Sequence, residues 1–487
     1  MKMTKTTALT VATMLMVAAA AHAQQPQTAP GIIAQMEALL NRLKTLVALP
    51  DPGDGGVQAT IDAAPAGATV RLTRDTRIRR LSLTRSINIV GDGAEVQADA
   101  GGNCVVDVRP GAADVRISGL RVTAAPGVAI SDLVCLGHAD ETQTTRDQQP
   151  RRITFTDNTV VGNGLTKRGI AIHGLDITVS NNEVLNISRV GQDSSALGGW
   201  NGEGRWTIEN NKLEGASENI LLGGADPTIV GLVPADITIR GNHLFKRLTW
   251  RGAGVGVKNL LELKTGRRVR IENNLLEFNW VDGQTGWGIV LTPSQYGTNP
   301  QNSLEDIDIV DNVLRETGSG INLLGSGQNS VTGITRRVRV SGNYISTNRA
   351  TYGGHGWILQ VGRSPQDVHL TQNTFEMPGS GQLVVVTDGV VSGLTIARNA
   401  VRPLGSYGII GRADGRNQNR GNGFSTYAPR GIMAGNLFAD AHAVFKANFP
   451  ANTYATTPRD ANGVPKGEAF SIAPDGWVDG VVGRLRK

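Results

Sequence analysis

Nine times along the chain an asparagine is preceded by apolar residues five and three positions earlier and followed by another two positions later: Asn158, Asn182, Asn211, Asn242, Asn274, Asn312, Asn343, Asn373 and Asn399. Successive copies lie 24 to 38 residues apart. "VRIENNLLEF" (269–278), "ITIRGNHLFK" (237–246), "IDIVDNVLRE" (307–316) and "ITVSNNEVLN" (177–186) show the pattern. A period near 30 residues signals stacked repeats, and the alternation inside each copy makes the stacked unit β.

Before the asparagine the residues alternate in and out, with Val269 and Ile271 inward and Arg268 and Arg270 outward; after it the alternation resumes out of phase. The chain therefore bends there. Asparagine tolerates the left-handed backbone of a tight bend, and asparagines stacked on successive rungs can bond their amides along the axis. A third strand follows in each period, as in "GIVL" (288–291), "GINLL" (320–324) and "GWILQV" (356–361). Three short strands per turn make an all-β, single-stranded, right-handed parallel β-helix. Its dozen or so rungs, each rising about 4.8 Å, give a rod of about 60 Å. The length would otherwise suggest about three domains. Abundant glycine (62 residues) could describe a disordered chain, but regular alternation argues against that.

Residues 1–23 read as a signal peptide: Lys2 and Lys5, an apolar run over 8–20, then Ala21-His22-Ala23. A secreted or periplasmic protein is expected. No later apolar run approaches the roughly 20 residues of a membrane span. Loss of the two lysines takes the net charge from +6 to +4, with charges mixed along the chain, which disfavours nucleic acid as a partner. A monomer is expected. Open β-helix ends invite aggregation, so residues 24–50 are assigned to an N-terminal cap. There Ile33, Met36, Leu39, Leu40, Leu43 and Val47 share one helical face; an interfacial or coiled-coil helix is the alternative. The β-helix is expected over 51–446, with a polar excursion at 411–431 and a C-terminal capping tail over 447–487.

"VQATIDAAPAGATVRL" (57–72) followed by "SINIVGDGAEV" (86–96), a helical turn, a strand and a first rung with "GDG", resembles the opening of pectate-lyase-like right-handed β-helix proteins. The resemblance implies the fold and leaves the reaction open, because this superfold hosts lyases, hydrolases, epimerases, adhesins and tailspikes.

Most catalytic patterns are absent. There is no HExxH and no GxSxG, seven histidines are scattered, and two cysteines cannot make a zinc cluster. "GAGVGV" (252–257) lacks the strand-turn-helix context of a phosphate loop. "GGHG" (353–356) lacks the paired aspartates of polygalacturonases. The exception is "VKNLLELKTGRR" (257–268). With Leu261 and Leu263 facing the core, Lys258, Leu260, Glu262 and Lys264 point outward on one side. Two close amines lower each other's pKa, as a lysine base requires. A uronate-polymer lyase needs such a base for the proton α to the carboxylate, together with cations that neutralise that carboxylate. Nearby rungs would supply Asn219, Asp226, Arg251, Trp280, Asp282 and Trp287 for binding. A solvated salt-bridge ladder is the bland alternative.

"SENILLGG" (217–224), a strand, and a rung ending in Lys-Thr before the next asparagine corner resemble polysaccharide lyase family six, the alginate- and dermatan-cleaving β-helix enzymes. That resemblance implies Lys264 as the base. The family's calcium-holding glutamate pair would fall on Val257 and Asn259, which do not match it, and no arginine stands at the expected acid position. Calcium is therefore possible but unsupported by these positions. The expectation is a carbohydrate-active protein cleaving an acidic polysaccharide by β-elimination; its rival is a non-catalytic glycan-binding or structural β-helix.

Cys104 and Cys135 lie 31 residues apart, one average rung, in similar apolar strands. Stacked on adjacent rungs, their α-carbons would come within disulfide reach. Thiol titration of the denatured, unreduced protein should find no free thiol; two would exclude the bond.

Overall fold

The asparagine pattern becomes a column of hydrogen bonds in the computed structural model, which describes residues 46–48, 54–293, 299, 301–327, 333–377, 381–402, 409–412 and 424–456. Each asparagine Nδ2 donates to the Oδ1 of the asparagine one rung on, at 2.8–3.1 Å, and its backbone N–H donates to the same oxygen at 2.9–3.0 Å. The column starts at Asn158, whose Oδ1 accepts from the Leu120 N–H, and gains two members beyond the repeat, Asn436 and Asn452. Nδ2 also reaches a first-strand carbonyl of the preceding rung, as Asn274 does to Ile239 O at 2.9 Å. A buried corner would otherwise strand these polar groups.

The left-handed residue is not the ladder asparagine but the one before it. Asp157, Asn181, Asn210, Asn273 and Asp311 take φ of 54° to 58°, and glycines occupy the same place at 241, 342 and 435. The bend is made at that residue so that the next side chain can turn inward and bond along the axis.

Three parallel sheets result, of 14, 12 and 14 strands, and every pairing joins one rung to the next. The first sheet carries the strand before the asparagine, the second the strand after it, and the third the glycine-flanked strand. The fold is a right-handed parallel β-helix. Val269 and Ile271 are buried while Arg268 and Arg270 are exposed, as alternation demands. Where the first strand is entered, a second row of positive-φ residues alternates in charge from rung to rung: Asp114, Arg152, Asp176, Arg205, Asp236, Arg268, Asp306, Arg337 and Asp367. Arg152 grips Asp114 and Arg268 grips Asp236 through two bonds each, at 2.6–2.8 Å. Such exposed pairs are worth little singly, but they keep like charges from stacking.

The ends depart from expectation. The leader 1–23 and residues 24–45 of the expected cap lie outside the described residues. Leu46–Ala48, which includes Val47 of the expected helical face, is a strand paired with Thr69–Arg71. An open sheet edge offers that apolar triplet ladder bonds that a helix would leave unused. Helix Asp54–Ala63 buries Val57 and Ile61 against the first rungs, and its Gln58 side chain pairs with Ser82 N and O at 2.9 and 2.8 Å, as a neighbouring strand would. The β-helix runs past 446: Thr453–Ala455 still pairs in the second sheet, and helix Ala443–Asn448 sets Phe445 against Phe438 with ring centroids 5.0 Å apart. Of the 411–431 excursion, 413–423 lies outside the described residues.

Cys104 and Cys135 are disulfide-bonded with α-carbons 5.2 Å apart. They are not stacked one above the other: Cys135 pairs with Asp107, and Cys104 precedes that strand with φ 54°. No described helix is long and apolar enough to cross a membrane.

Asn274→Leu in mid-ladder leaves the Asn242 amide groups and Ile239 O without their partner. It should cost about 2–5 kcal/mol, read from denaturant midpoints. Asn452→Ala, at the ladder's end, should cost less; equal midpoints would contradict the ladder's role.

Candidate functional site

Because strands of the third sheet stack in register, residues far apart in the chain form columns on its outer face. Ser195, Glu218, Asn259, Trp287, Ser319 and Trp357 make one such column over six rungs, buried at every member but Trp357. Leu221 and Glu262 pair in the next outward position, and Lys264 follows Glu262 at the strand's exit. Leu261 and Leu263 are buried as expected. Leu260 is buried too, not outward: its position faces the corner between the second and third sheets. Asn219, one rung earlier in that position, donates to the second-sheet carbonyls of Leu213 and Phe245, both at 2.7 Å. Asn219 is thus an interior residue, not a groove contact.

The charged groups converge on Lys258. Its Nζ stands 2.5 Å from Asp193 Oδ2 and 3.9 Å from Glu218 Oε1, while Lys264 Nζ stands 3.4 Å from Glu262 Oε1. Asn259 Nδ2 donates to Glu262 Oε2 at 2.8 Å, which turns that carboxylate along the sheet. Gly223, at φ 101°, lies under Lys264; a β-carbon there would come within 2.8 Å of the lysine's own.

The lysine with a lowered pKa is not Lys258. Burial pulls the Lys258 pKa down, but Asp193, Glu218 and Glu262 outweigh it and the net direction is up. For Lys258 the lowering expected from a second amine does not occur, because the acids that face it, Asp193 first, favour the charged form. Lys246 is the depressed one, lowered to about 7 by complete burial against the pull of Glu218 and Glu214. Its Nζ donates to Gly215 O, Ser217 O and Asn219 Oδ1 at 2.9–3.2 Å. Glu218 is raised to about 8, first by burial and then by the Glu262 charge. Glu218 Oε2 and Asn259 Oδ1 are buried without a hydrogen-bond partner.

Aromatic rings stand at both ends of this charged centre. Toward the N-terminus Trp200 meets His173 edge-on at 4.6 Å, and Arg168 lies over its ring at 4.9 Å, held by Asp132 at 2.8 Å. Toward the C-terminus His355 and Trp357 stack at 4.3 Å beside Trp287. Trp287, though expected to bind, is itself 3% exposed, and the half-buried Trp357 and His355 offer the surface. Trp280 is buried in a separate small cluster with Trp250, Val257 and Tyr352. Arg251 lies over Trp280 and Tyr352 and donates to Thr351 O, so it forms a wall. Asp282 accepts from the Val257 N–H at 3.0 Å and braces the start of the strand. Asp226 is half-buried in the loop after the strand Glu218–Leu222.

Glu218, Asp193, Lys246, Trp200, His355 and Trp357 were not singled out by sequence reasoning. Glu218 lies 41 residues before Asn259 yet pairs with it, a register that the average period of about 30 conceals. At the positions the family resemblance assigns to calcium, Val257 is a buried apolar residue and Asn259 offers a single carbonyl oxygen. The Lys258 ammonium already stands against Asp193 and Glu218. Those positions do not fit a hard cation that takes six to eight oxygens.

No protein-family model matches the chain, and no curated protein does. Among solved structures it is similar to the tailspike protein of E. coli bacteriophage HK620 in complex with a pentasaccharide, at 11% identity and TM-score 0.53, over 85% of this chain and 79% of that one. It is also similar to the PL6 family alginate lyase AlyGC, at 12% identity and TM-score 0.52, over 88% of this chain and 57% of that one. Likeness at this identity carries the fold, a parallel β-helix shared with carbohydrate-active proteins.

The site's buried acid has a stability signature. Glu218 holds its proton in the folded chain up to about 8 but loses it near 4.5 when unfolded. Its contribution is fully present below 4.5 and is lost as pH rises to 8. Relative to wild type, Glu218→Gln should therefore gain stability as pH rises across that window, measured by denaturation at a series of pH values. A pH-independent difference would contradict the assignment.

Proposed function

We propose that the outer face of the third sheet binds an acidic polysaccharide and cleaves it by β-elimination, with Lys264 as the base. The observation that carries this reading is the placement of two lysine–carboxylate pairs between aromatic rings on one continuous sheet face. Rings suit sugar faces, and a cationic centre between them suits a uronate carboxylate. The two similar structures are a tailspike in complex with a pentasaccharide and an alginate lyase, which supports the class of ligand.

In this mechanism Lys264, after giving a proton to solvent, removes the proton α to the uronate carboxylate. The carbanion electrons spread into that carboxylate and then form a double bond as the glycosidic oxygen leaves and takes a proton from water. Glu262, 3.4 Å from Lys264 Nζ, stabilises the ammonium that forms. No step is routed through calcium. This reading includes export, which rests on the signal-peptide pattern expected over residues 1–23.

A second reading is a non-catalytic glycan-binding β-helix. It is favoured by the fact that Lys258 and Lys264 are both already ion-paired, as in a structural charge ladder.

Incubation with pectate, alginate and glycosaminoglycans should produce the ultraviolet absorbance of an unsaturated uronate with at least one polymer. Lys264→Ala should lower that rate by about 10²–10⁴-fold with an unchanged circular dichroism spectrum. A retained rate would exclude Lys264 as the base. Silence on every polymer together with measurable binding would favour the second reading.

A further inference from the structure

The rungs on the N-terminal side of the groove carry a different cluster, in which the disulfide has charged neighbours. Cys135 is the strand neighbour of Asp107, and His138 follows three residues later. The Nε2 of His138 stands 2.8 Å from Asp107 Oδ1, and its Nδ1 stands 3.3 Å from Asp140 Oδ2. Asp140 is fixed in turn, because its Oδ1 accepts from the Thr142 N–H at 2.9 Å and the Thr142 hydroxyl at 2.5 Å. Cys104 Sγ, a carboxylate oxygen of Asp107 and a ring nitrogen of His138 all lie within 4.8 Å of one another. Cys104, Cys135 and His138 are each less than 8% exposed.

This arrangement has the parts of a metal centre with one part locked. Histidines that ligate metal characteristically give their other ring nitrogen to a carboxylate, which sets ring orientation and basicity. Asp140 stands in that place relative to His138, with Nε2 turned toward Asp107. Two cysteines alone do not make a zinc cluster, but the fold brings an imidazole and a carboxylate beside them. Two thiolates, one imidazole and one carboxylate are a donor set for tetrahedral Zn²⁺, whose ligand atoms sit about 3.3–3.8 Å apart given bonds of about 2.0–2.3 Å. Cys104 Sγ, Asp107 and His138 need to draw together by about 1 Å, and a Cys135 thiol released from the disulfide must rotate to join them. In the disulfide the sulfur electrons are committed to the S–S bond and no thiolate exists.

We propose that two-electron reduction of the Cys104–Cys135 disulfide by a dithiol opens a Zn²⁺ site made of both thiolates, His138 Nε2 and Asp107. The dithiol gives two electrons and two protons and becomes a disulfide, while the cysteines become thiols. Zn²⁺ then replaces both thiol protons and any proton on Nε2, and these pass to solvent. Disulfide and metal exclude each other, so the site reports the redox state of its surroundings. It lies apart from the lysine–carboxylate centre and does not depend on the reading of that centre.

The test uses the full chain, either oxidised or reduced with dithiothreitol and desalted under argon, titrated with Co²⁺ as a visible stand-in for Zn²⁺. The reduced protein should bind one Co²⁺ with the thiolate charge-transfer and d–d bands of a tetrahedral site, and Zn²⁺ should bleach them; the oxidised protein should show neither. His138→Gln should weaken binding at least tenfold. Asp140→Asn, at a half-buried position, should weaken it about tenfold with the thiolate band and the circular dichroism spectrum retained. Absence of the thiolate band in the reduced protein, equal binding by the oxidised protein, or unchanged affinity in both variants would overturn the proposal.

Discussion

The asparagine column is the constraint on which the rest of this molecule depends. Each bend between the first and second sheets buries backbone groups that water cannot reach, and the only partners available repeat at the rung spacing. One side chain with a donor and an acceptor solves this at every level, because the same Oδ1 takes both the Nδ2–H and the backbone N–H from the rung before. The column also sets register. A strand displaced by one residue would remove an asparagine from the corner and turn its apolar residues to solvent, so insertions between rungs must be absorbed in loops. The interval of 38 residues between Asn274 and Asn312 and that of 24 between Asn158 and Asn182 keep the same ladder geometry.

Fixed register is what permits a site. On the outer face of the third sheet a residue's neighbours are set by rung and not by sequence, so Glu218, Asn259 and Trp287 line up although loops of unequal length separate them. The same rigidity tolerates an expensive arrangement beneath the surface. Lys246 and Glu218 are both enclosed, and their pKa values are driven toward each other, down to about 7 and up to about 8. Isolated buried charges would cost several kcal/mol each; here backbone carbonyls and Asn219 hold the amine, and the raised Glu218 pKa favours its neutral form. Lys258 and Lys264 lie nearer to solvent, each turned toward an acid on the groove side.

The outer surface handles charge differently. The alternating row of five aspartates and four arginines at the entrance to the first sheet pairs opposite charges between rungs. Every member of the row has a positive φ, where side chains other than glycine are strained. The ion pairs act against that strain.

What the amino-acid sequence determined by itself was whatever repeats: the β-helix, the inward and outward faces of Val269, Arg270 and Ile271, and the asparagine column. Period and alternation are local properties that every copy restates. The proximity of Cys104 and Cys135 was legible for the same reason, one average rung of separation, although their register was not. Three things were decided only in the tertiary structure. The left-handed residue sits one place before the asparagine, because the side chain must point inward to reach the next rung. Lys258 has a raised pKa, because Asp193 approaches it from a loop 65 residues away. Asn219 and Leu260 face the interior, because the corner between the second and third sheets turns a position that simple alternation would place outside. In each case the deciding partner lies on another rung, at a sequence distance set by loop length, and loop length is the one quantity the repeat does not encode.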